Sequence, residues 1–450
     1  MTATKTFSAE TETFPRGVHP AERKDLAEGA AIEVLPTPKQ VRIPLLQHLG
    51  APCKGVVKPR SEVAVGDVVG EAEAFVSAPV HASVAGTTAR ESMVTLPNGR
   101  HVPAVPIQAA DEQPLSGEAL LEDIFGGPWS IDEVRKAQPQ QIADAARRAG
   151  LVGLGGAAFP THVKLTRNEA KPIDTLLVNG CECEPYLTAD YRLMLQAPEA
   201  VVAGGMLAKR ATGAVRVIIG VEDNKPEAIR SLHAAAAGTP VQVRVLQTKY
   251  PQGGEKQLIV ALLGREVPTG GLPLDVGVVV FNVGTAASLA RAVLRDKPLT
   301  HRIVTVSGRG IRHPKNLLVP IGTDYRALID YCGGLTEDAA RVVAGGPMMG
   351  FTLGNLDTPV TKGTSGVTVL THGELDKIHE TACVRCGRCA EVCPMRLVPT
   401  KLAQAARANK PELARSYHVT ACMECGCCAY ACPARLPLVQ LIRLAKIITL

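Results

Sequence analysis

The sequence predicts a multidomain protein of mixed class: a β-rich first part, an α/β middle and a small helical last part. Three observations predict it. Up to about Pro128, short runs alternate apolar with small residues between Gly, Asp and Pro turns, the pattern of short strands. From about Ser130 to Lys297, apolar runs of strand length alternate with helix-length stretches, which argues for a mostly parallel sheet. Near the C-terminus, eight of the thirteen cysteines fall into two identical spacings. A chain of 450 residues has room for this, at roughly 150 residues per domain.

Composition sets limits. With 46% hydrophobic and 20% charged residues the chain reads as an ordinary globular protein. Aromatics are only 3%, so the cores must be built from Val, Leu, Ile and Ala. The net charge of +6 suits an acidic protein partner or an anionic membrane surface. No block of Lys and Arg interleaves with aromatics, which argues against nucleic acid. The opening "MTATKTFSAETETFPRG" lacks the apolar core of a signal peptide. The most apolar stretch, "DVGVVVFNVGTAASLARAVL", is broken by Asn282, Gly284 and Arg291, so no membrane span is expected. A cytoplasmic location follows, in which the cysteines are expected as metal ligands or buried thiols rather than disulfides.

Residues 1–129 are expected to form a β domain. "VAVGDVVGEAEAFVSAPVHASVAGTT" resembles half of a lipoyl- or biotinyl-type barrel sandwich. Those carriers present a modified Lys on a hairpin tip, and none lies between Val63 and Thr88, so the barrel is read as structural. Residues 130–297 are the α/β part. "SIDEVRKAQPQQIADAARRAG" reads as helix behind a Ser cap, with acidic residues in its first turn. "IDTLLVNG", "AVRVIIGVED", "VQVRVLQ" and "VGVVVFNVG" read as strands, and "DYRLMLQAPEAVVAGGMLAKRA" and "TAASLARAVLRDK" as helices between them. "HRIVTVSGRGIRHPKNLLVPIGTDYRALIDYCGG" then reads as strand, turn, strand and helix, a small β-grasp module of the soluble-ligand-binding (SLBB) type over residues 298–371. Residues 372–450 read as short helices around cysteine loops.

"CVRCGRCAEVCP" and "CMECGCCAYACP" each carry C-x-x-C-x-x-C-x-x-x-C-P, the bacterial ferredoxin run. Three closely spaced thiolates grip three irons of a cube, and the fourth Cys reaches the other cube. Two [4Fe-4S] clusters are expected: one on Cys383, Cys386, Cys389 and Cys432, the other on Cys422, Cys425, Cys428 and Cys393. Zinc is the competing reading, but zinc usually takes separated Cys pairs. Cys427 lies off the repeat and reads as a small filler; Cys53 and Cys332 read as buried thiols. The module is an electron wire that needs a donor and an acceptor.

"GLVGLGGAAFPTHVKL" contains G-x-G-x-x-A at Gly153 to Ala158, the dinucleotide fingerprint. Its context argues against a Rossmann dinucleotide loop. A helix precedes it instead of a strand, and Pro160 restricts Phe159 and is expected to delay any helix after it. A purely structural turn is a second alternative. The remaining reading is a loop whose backbone N–H groups approach a flat or phosphorylated ligand, with Lys164 toward a phosphate. Strand ends supply Asn179, Glu182 and Glu184 in "VNGCECEPY", and Asn282 and Thr285 in "FNVGTAAS". "YPQGGEKQ" adds a glycine turn ending in Glu255. Asn, Glu and Gly suit the polar edge of a flavin.

Together, "GLGGAAFPTHVK", "VNGCECEPYLTADYRLM", "GVEDNKPEAI", "YPQGGEKQL", "FNVGTAASLARAV", "GGPMMGF" and the double cysteine run resemble the RnfC/RsxC family, the C subunit of the Rnf membrane electron-transport complex. So do the opening "FPRGVHPAERKDLAEGAAIEVLP" and "SAPVHASVAGTT", and the likeness spans nearly the whole chain. The α/β and β-grasp parts also resemble the NADH- and flavin-binding subunit of respiratory complex I.

The resemblance implies a Rossmann-like α/β domain with non-covalent FMN and an NAD(H) site over it. Carried over by position, Gly153, Gly155, Gly156, Lys164, Asn179, Glu182, Asn282 and Thr285 would surround FMN. Phe159, Glu184 and Glu255 would help hold NADH. Three residues depart from the complex I pattern: Leu154 for an Arg, Ala158 for a Gly, and Cys181 for an Asp. The implied chemistry is hydride exchange between nicotinamide and flavin, then single electrons to the clusters. Implied partners are the other Rnf subunits, including the ferredoxin-like and membrane-embedded flavin subunits, with ferredoxin or flavodoxin reached indirectly. Implied location is peripheral, on the cytoplasmic side of the inner membrane, with coupling to Na+ or H+ movement by other subunits.

Two other readings remain. One is a soluble flavin and iron–sulfur reductase like cobalamin reductases. The other is a non-enzymatic electron-transfer adaptor. The last helix, "LPLVQLIRLAKIITL", reads equally as a membrane-docking surface bearing Arg443 and Lys446 or as a helix closing the cluster domain.

Overall fold

The computed structural model describes residues 12–375 and 379–449. Its centre is a sheet of four parallel strands, β1 (Thr175–Asn179), β2 (Arg216–Glu222), β3 (Val241–Leu246) and β4 (Val278–Asn282). The spatial order is β3-β2-β1-β4. The order therefore reverses between β1 and β4, the place where α/β sheets open a crevice at their carboxyl ends. Register puts Asn179, last in β1, directly beside Asn282, last in β4.

The helices that accompany the sheet are α1 (Pro139–Arg148), α2 (Thr161–Leu165), α3 (Ala189–Gln196), α4 (Pro198–Thr212), α5 (Pro226–Ala236), α6 (Glu255–Leu263) and α7 (Val283–Arg295). Alternation along β1 decides the packing. Leu176 and Val178 join the large core with α4 and α7, and Leu177 joins Leu258, Ile259 and Leu262 of α6 on the other face. Helices α4 and α7 touch at Gly204, where an added Cβ would lie 1.8 Å from the Ala286 carbonyl oxygen.

Three local expectations change. The stretch after Ser130 is two helices, Ile131–Lys136 and α1, although Ser130 does cap the first by accepting from the Glu133 N–H. The stretch from Asp190 is likewise two helices, α3 and α4. The cause is the same: Pro139 and Pro198 lack an N–H and hold the preceding residue out of helical geometry. Pro160, in contrast, does not delay a helix, because α2 begins at the next residue.

The N-terminal strands form two small sheets. One joins Gln40–Pro44, His101–Ala109, Gly86–Thr88 and Glu62–Val63, with Ser92–Thr95 at its side. The other joins Lys54–Gly55, Val68–Glu71 and Val80–His81. The span 1–129 is not self-contained, however. Ile32–Val34 pairs parallel with Lys315–Pro320, so it is the edge strand of the six-stranded β-grasp sheet. Helix Gly117–Phe125 leaves the barrel, buries Ile124 in the α/β core, and places Asp123 3.1 Å from Arg291 of α7.

The last part is helical, with short helices Arg388–Glu391 and Cys427–Tyr430 in the two cysteine runs and longer ones at Pro399–Arg407 and Leu438–Ile447. Among the described residues no helix is long and apolar enough to cross a membrane.

Candidate functional site

The glycine loop lies against the crevice between β1 and β4. It closes on itself through Gly153 N–H to Phe159 O (2.8 Å) and Ala158 N–H to Gly153 O (3.1 Å). Two side chains hold it from below. Thr285, first turn of α7, accepts from the Leu154 N–H (2.9 Å), and Arg302 donates to the Leu154 carbonyl (3.1 Å) and the Thr364 carbonyl (3.1 Å). Arg302 is buried, and that burial lowers its pKa to about 10. Leu154 therefore offers no charge of its own, and a guanidinium from the β-grasp domain grips its backbone.

The other side of the loop is open. Gly155, Gly156 and Ala157 are exposed, and among the described residues no protein group accepts from their N–H groups. A Cβ on Gly156 would meet nothing within 4 Å, whereas one on Gly155 would come within 3.3 Å of the Asn282 side chain. Three successive amides without a protein acceptor beside a crevice are donors available to a polar or anionic ligand. Ala158 has φ of 50°, so the Ala in place of a Gly still adopts the left-handed backbone, at a cost of about 1–2 kcal/mol.

Side chains at the strand ends build the rest. Asn282 accepts from Gly284 N–H (2.8 Å) and donates to Asp190. Asp190 is enclosed, and burial first, then the nearby Glu182 charge, raises its pKa to about 7. Glu182 stands at a left-handed φ of 45° and accepts from the N–H groups of Asp190 (2.7 Å) and Tyr191 (3.0 Å), capping α3. Asn179 donates to Gly253 O (2.8 Å) and so ties β1 to the "YPQGG" turn. Lys164 donates to Glu255 (3.0 Å) and to Val280 O (3.0 Å).

The structure thus brings Gly153, Gly155, Gly156, Asn282 and Thr285 into one floor. Glu182 joins it through Asp190, and Lys164 and Glu255 meet as a pair at its side. Phe159 is half-buried at the end of the loop. Glu184 lies toward the cysteine domain: it accepts from the N–H groups of Met348 (2.6 Å) and Met349 (3.1 Å) in "GGPMMGF", and burial raises its pKa.

Lys24 is a site residue that sequence reasoning missed. It is buried, and its Nζ donates to three carbonyls of one loop: Glu182 (2.7 Å), Glu184 (3.1 Å) and Leu187 (2.6 Å). That loop holds two non-glycine residues at positive φ, Glu182 and Tyr186, so Lys24 holds a strained segment in shape. Its partners are backbone atoms, which leave no side-chain signal. Arg302 escaped notice for the same reason. Asp190 had a signal, an acidic first helical turn beside a strand end.

The cysteine domain meets this site through the same turn. Tyr250, one residue before Pro251, is buried, and its hydroxyl donates to the Cys425 carbonyl (2.7 Å). Cys427 is fully buried beside Tyr250 and Val18, a small filler as expected. Cys393 of the first run lines one cavity with Cys422, Cys425 and Cys428 of the second. Cys389 and Cys432 share the small core behind them. Cys393 thus packs with the cysteines of the second run, whereas Cys383 and Cys386 stand exposed. Amides point at sulfur as well: Leu397 N–H to Cys393 Sγ and Glu424 N–H to Cys422 Sγ, each 3.4 Å. The last helix closes this domain, with Leu438, Val439 and Ile442 buried, while Arg443 and Lys446 pair with Glu424. Cys53 and Cys332 are buried thiols.

Family models match each part. Residues 146–291 match the Nuo51 FMN-binding domain, 12–112 the RnfC barrel sandwich hybrid domain, 303–352 the SLBB domain, and 375–433 the 4Fe-4S dicluster domain. Fold and site define a flavin- and iron–sulfur-binding electron-transfer protein, carrying FMN and two [4Fe-4S] clusters.

Relatives narrow this. The C subunit of the proton-translocating ferredoxin:NAD(+) oxidoreductase complex of Clostridium ljungdahlii is 44% identical over 87% of this chain and 84% of its own. The C subunit of the Na(+)-translocating complex of Acetobacterium woodii is 42% identical over 88% of each. The C subunit of the ion-translocating oxidoreductase complex of Rhodobacter capsulatus is 40% identical over 96% of this chain and 82% of its own. The chain belongs to the RnfC family. An NAD+-reducing [NiFe]-hydrogenase in the H2-reduced state matches at TM-score 0.50 and 22% identity over 71% of this chain and 64% of its own, a likeness of fold alone.

Proposed function

We propose that this chain exchanges electrons between NAD(H) and ferredoxin as a peripheral subunit of a membrane-bound, ion-translocating complex, on the cytoplasmic side of the cell membrane. The observation that carries the reading is one turn, Lys249 to Glu255. It touches the open glycine loop's crevice through Asn179 and Lys164 and the second cysteine run through Tyr250. A site for a two-electron carrier and a site for single electrons thus share one rigid support.

FMN, when bound, supplies the exchange of a hydride for two single electrons, and the clusters supply one-electron relay. The chain's own residues do the rest. Gly153, Gly155 and Gly156 form the floor and leave amides of the loop free for the polar edge or phosphate. Lys164 lies toward the phosphate, and Asn179, Glu182, Asn282 and Thr285 fix the walls. Phe159, Glu184 and Glu255 border the nucleotide's approach. Cys383, Cys386, Cys389 and Cys432 hold one cluster, and Cys422, Cys425, Cys428 and Cys393 the other. Ion movement and partner choice, among them the ferredoxin-like and membrane flavin subunits, lie with the rest of the complex.

The test is NADH–ferricyanide activity with extractable FMN on the purified chain. Gly155→Leu, whose side chain must displace Asn282, should release FMN while iron content stays unchanged. FMN retained in that variant overturns the loop assignment. Iron without flavin or activity in the unmodified chain supports the adaptor reading, and activity without co-purifying membrane subunits supports a soluble reductase.

A further inference from the structure

The two cysteine runs face different surroundings. The second run is covered by Tyr250, Met348 and the last helix. The first is open at its start, although Cys389 and Cys393 are buried: Cys383 and Cys386 are exposed, and Val384 between them is 64% exposed. Arg385 and Arg388 flank the exposed thiols, both exposed and neither ion-paired among the described residues. Arg16, reaching from the N-terminal segment, adds a third guanidinium by donating to Ala390 O at the end of the run's short helix (2.9 Å). Within the run, one exposed carboxylate, Glu391, opposes these three. A small apolar tip, a net positive rim and exposed cysteines thus meet on one face. It matches the small, electrostatically guided interfaces of one-electron carriers.

We propose that the face formed by Val384, Arg385 and Arg388 is the docking surface for an acidic, iron–sulfur-type one-electron carrier protein. The inference rests on the proposed electron-transfer function and adds where the partner lands and what charge it bears. Two encounters balance one nicotinamide: NADH yields NAD+ and a proton while two carriers each take one electron, or the reverse.

The experiment uses the flavin- and cluster-loaded protein and, as probe, an acidic two-cluster ferredoxin. Its binding, and the reduction of NAD+ by its pre-reduced form, are measured at low and moderate salt, with the double variant Arg385→Glu/Arg388→Glu. Reversing two charges should weaken binding and lower the low-salt kcat/KM for the carrier about tenfold or more, and flatten its salt dependence. NADH–ferricyanide activity, iron content and the spectra of the reduced clusters should stay as in the unmodified protein. Arg230→Glu, on α5, should change none of these. Unchanged binding in the double variant with clusters intact, or an equal loss in Arg230→Glu, overturns the docking surface. Loss of FMN or NADH activity in the unmodified protein would instead sink the underlying function.

Discussion

The first cysteine run, Cys383 to Cys393, and the second, Cys422 to Cys432, repeat one backbone. Arg385 and Glu424 are left-handed at φ 55° and 60°, Gly387 and Gly426 at 80° and 84°, and a short helix follows each. The side chains do not repeat. Val384 is exposed where Met423 packs toward Gly254, and Arg388 is exposed where Cys427 is fully buried. The lesson is a division of labour. Cluster geometry dictates the backbone and the ligand cysteines, and the neighbour that covers each run dictates everything between them. Cys427 is explained this way: its position must be small and apolar because it faces Tyr250, not because sulfur is needed there.

Swapping residues between the runs is the sharpest way to break this comparison. Cys427→Arg would bury an unpaired guanidinium against Tyr250 and should cost several kcal/mol or prevent folding of the domain, whereas Arg388→Cys should stay within about 0.5 kcal/mol. Thermal unfolding with iron content measures the pair, and equal effects would show that the runs differ less than their burial indicates.

Next come the two glycines. Both sit at positive φ, so Ala costs each about 1 kcal/mol or more from backbone strain. An added Cβ at Gly426 would also meet the Met348 carbonyl oxygen at 2.7 Å, while at Gly387 it would meet only Glu391 at 4.0 Å. Gly426→Ala should therefore destabilise by about 1–3 kcal/mol more than Gly387→Ala, read from denaturant midpoints.

A smaller effect is expected for Tyr250→Phe, which leaves the buried Cys425 carbonyl without its donor at about 1–3 kcal/mol. FMN and iron should remain, and a redox titration followed by spectroscopy should show the potential of one cluster moving while the other holds. Shifts of both clusters, or of neither, would detach Tyr250 from the second run. Smallest is Lys446→Met, removing a donor to the Cys422 carbonyl at the half-exposed end of the same run, for which about 0.5–1.5 kcal/mol is expected in the same assay.

The same logic explains what the sequence made legible. The cysteine runs, the glycine loop and the strand ends were readable because their constraints are local: spacing, turn chemistry and alternation act within a dozen residues. The helix breaks at Pro139 and Pro198 were equally local and still escaped, because amphipathic periodicity continues across them. Lys24 and Arg302 could not be read. Each holds backbone carbonyls far away in sequence, and a carbonyl has no residue type to advertise it. The pairing of Lys164 with Glu255, and of Asn282 with Asp190, needed the fold to bring separate strand ends together.

The strand Ile32–Val34 has a consequence for how the chain is made. Its pairing partner ends near Pro320, and buried Asn316 donates to Ala30 O across 286 positions while accepting from Thr188 and Thr305. During synthesis the first thirty or so residues leave the ribosome long before the β-grasp sheet that receives them exists. That early strand, with open hydrogen-bonding edges, must wait unpaired until the middle of the chain has folded, a setting in which long-range pairing is slow and exposed strands aggregate. The N-terminal segment can thus seat only after the middle of the chain is in place, and Lys24 holds the loop of residues 182–187 only once it has seated.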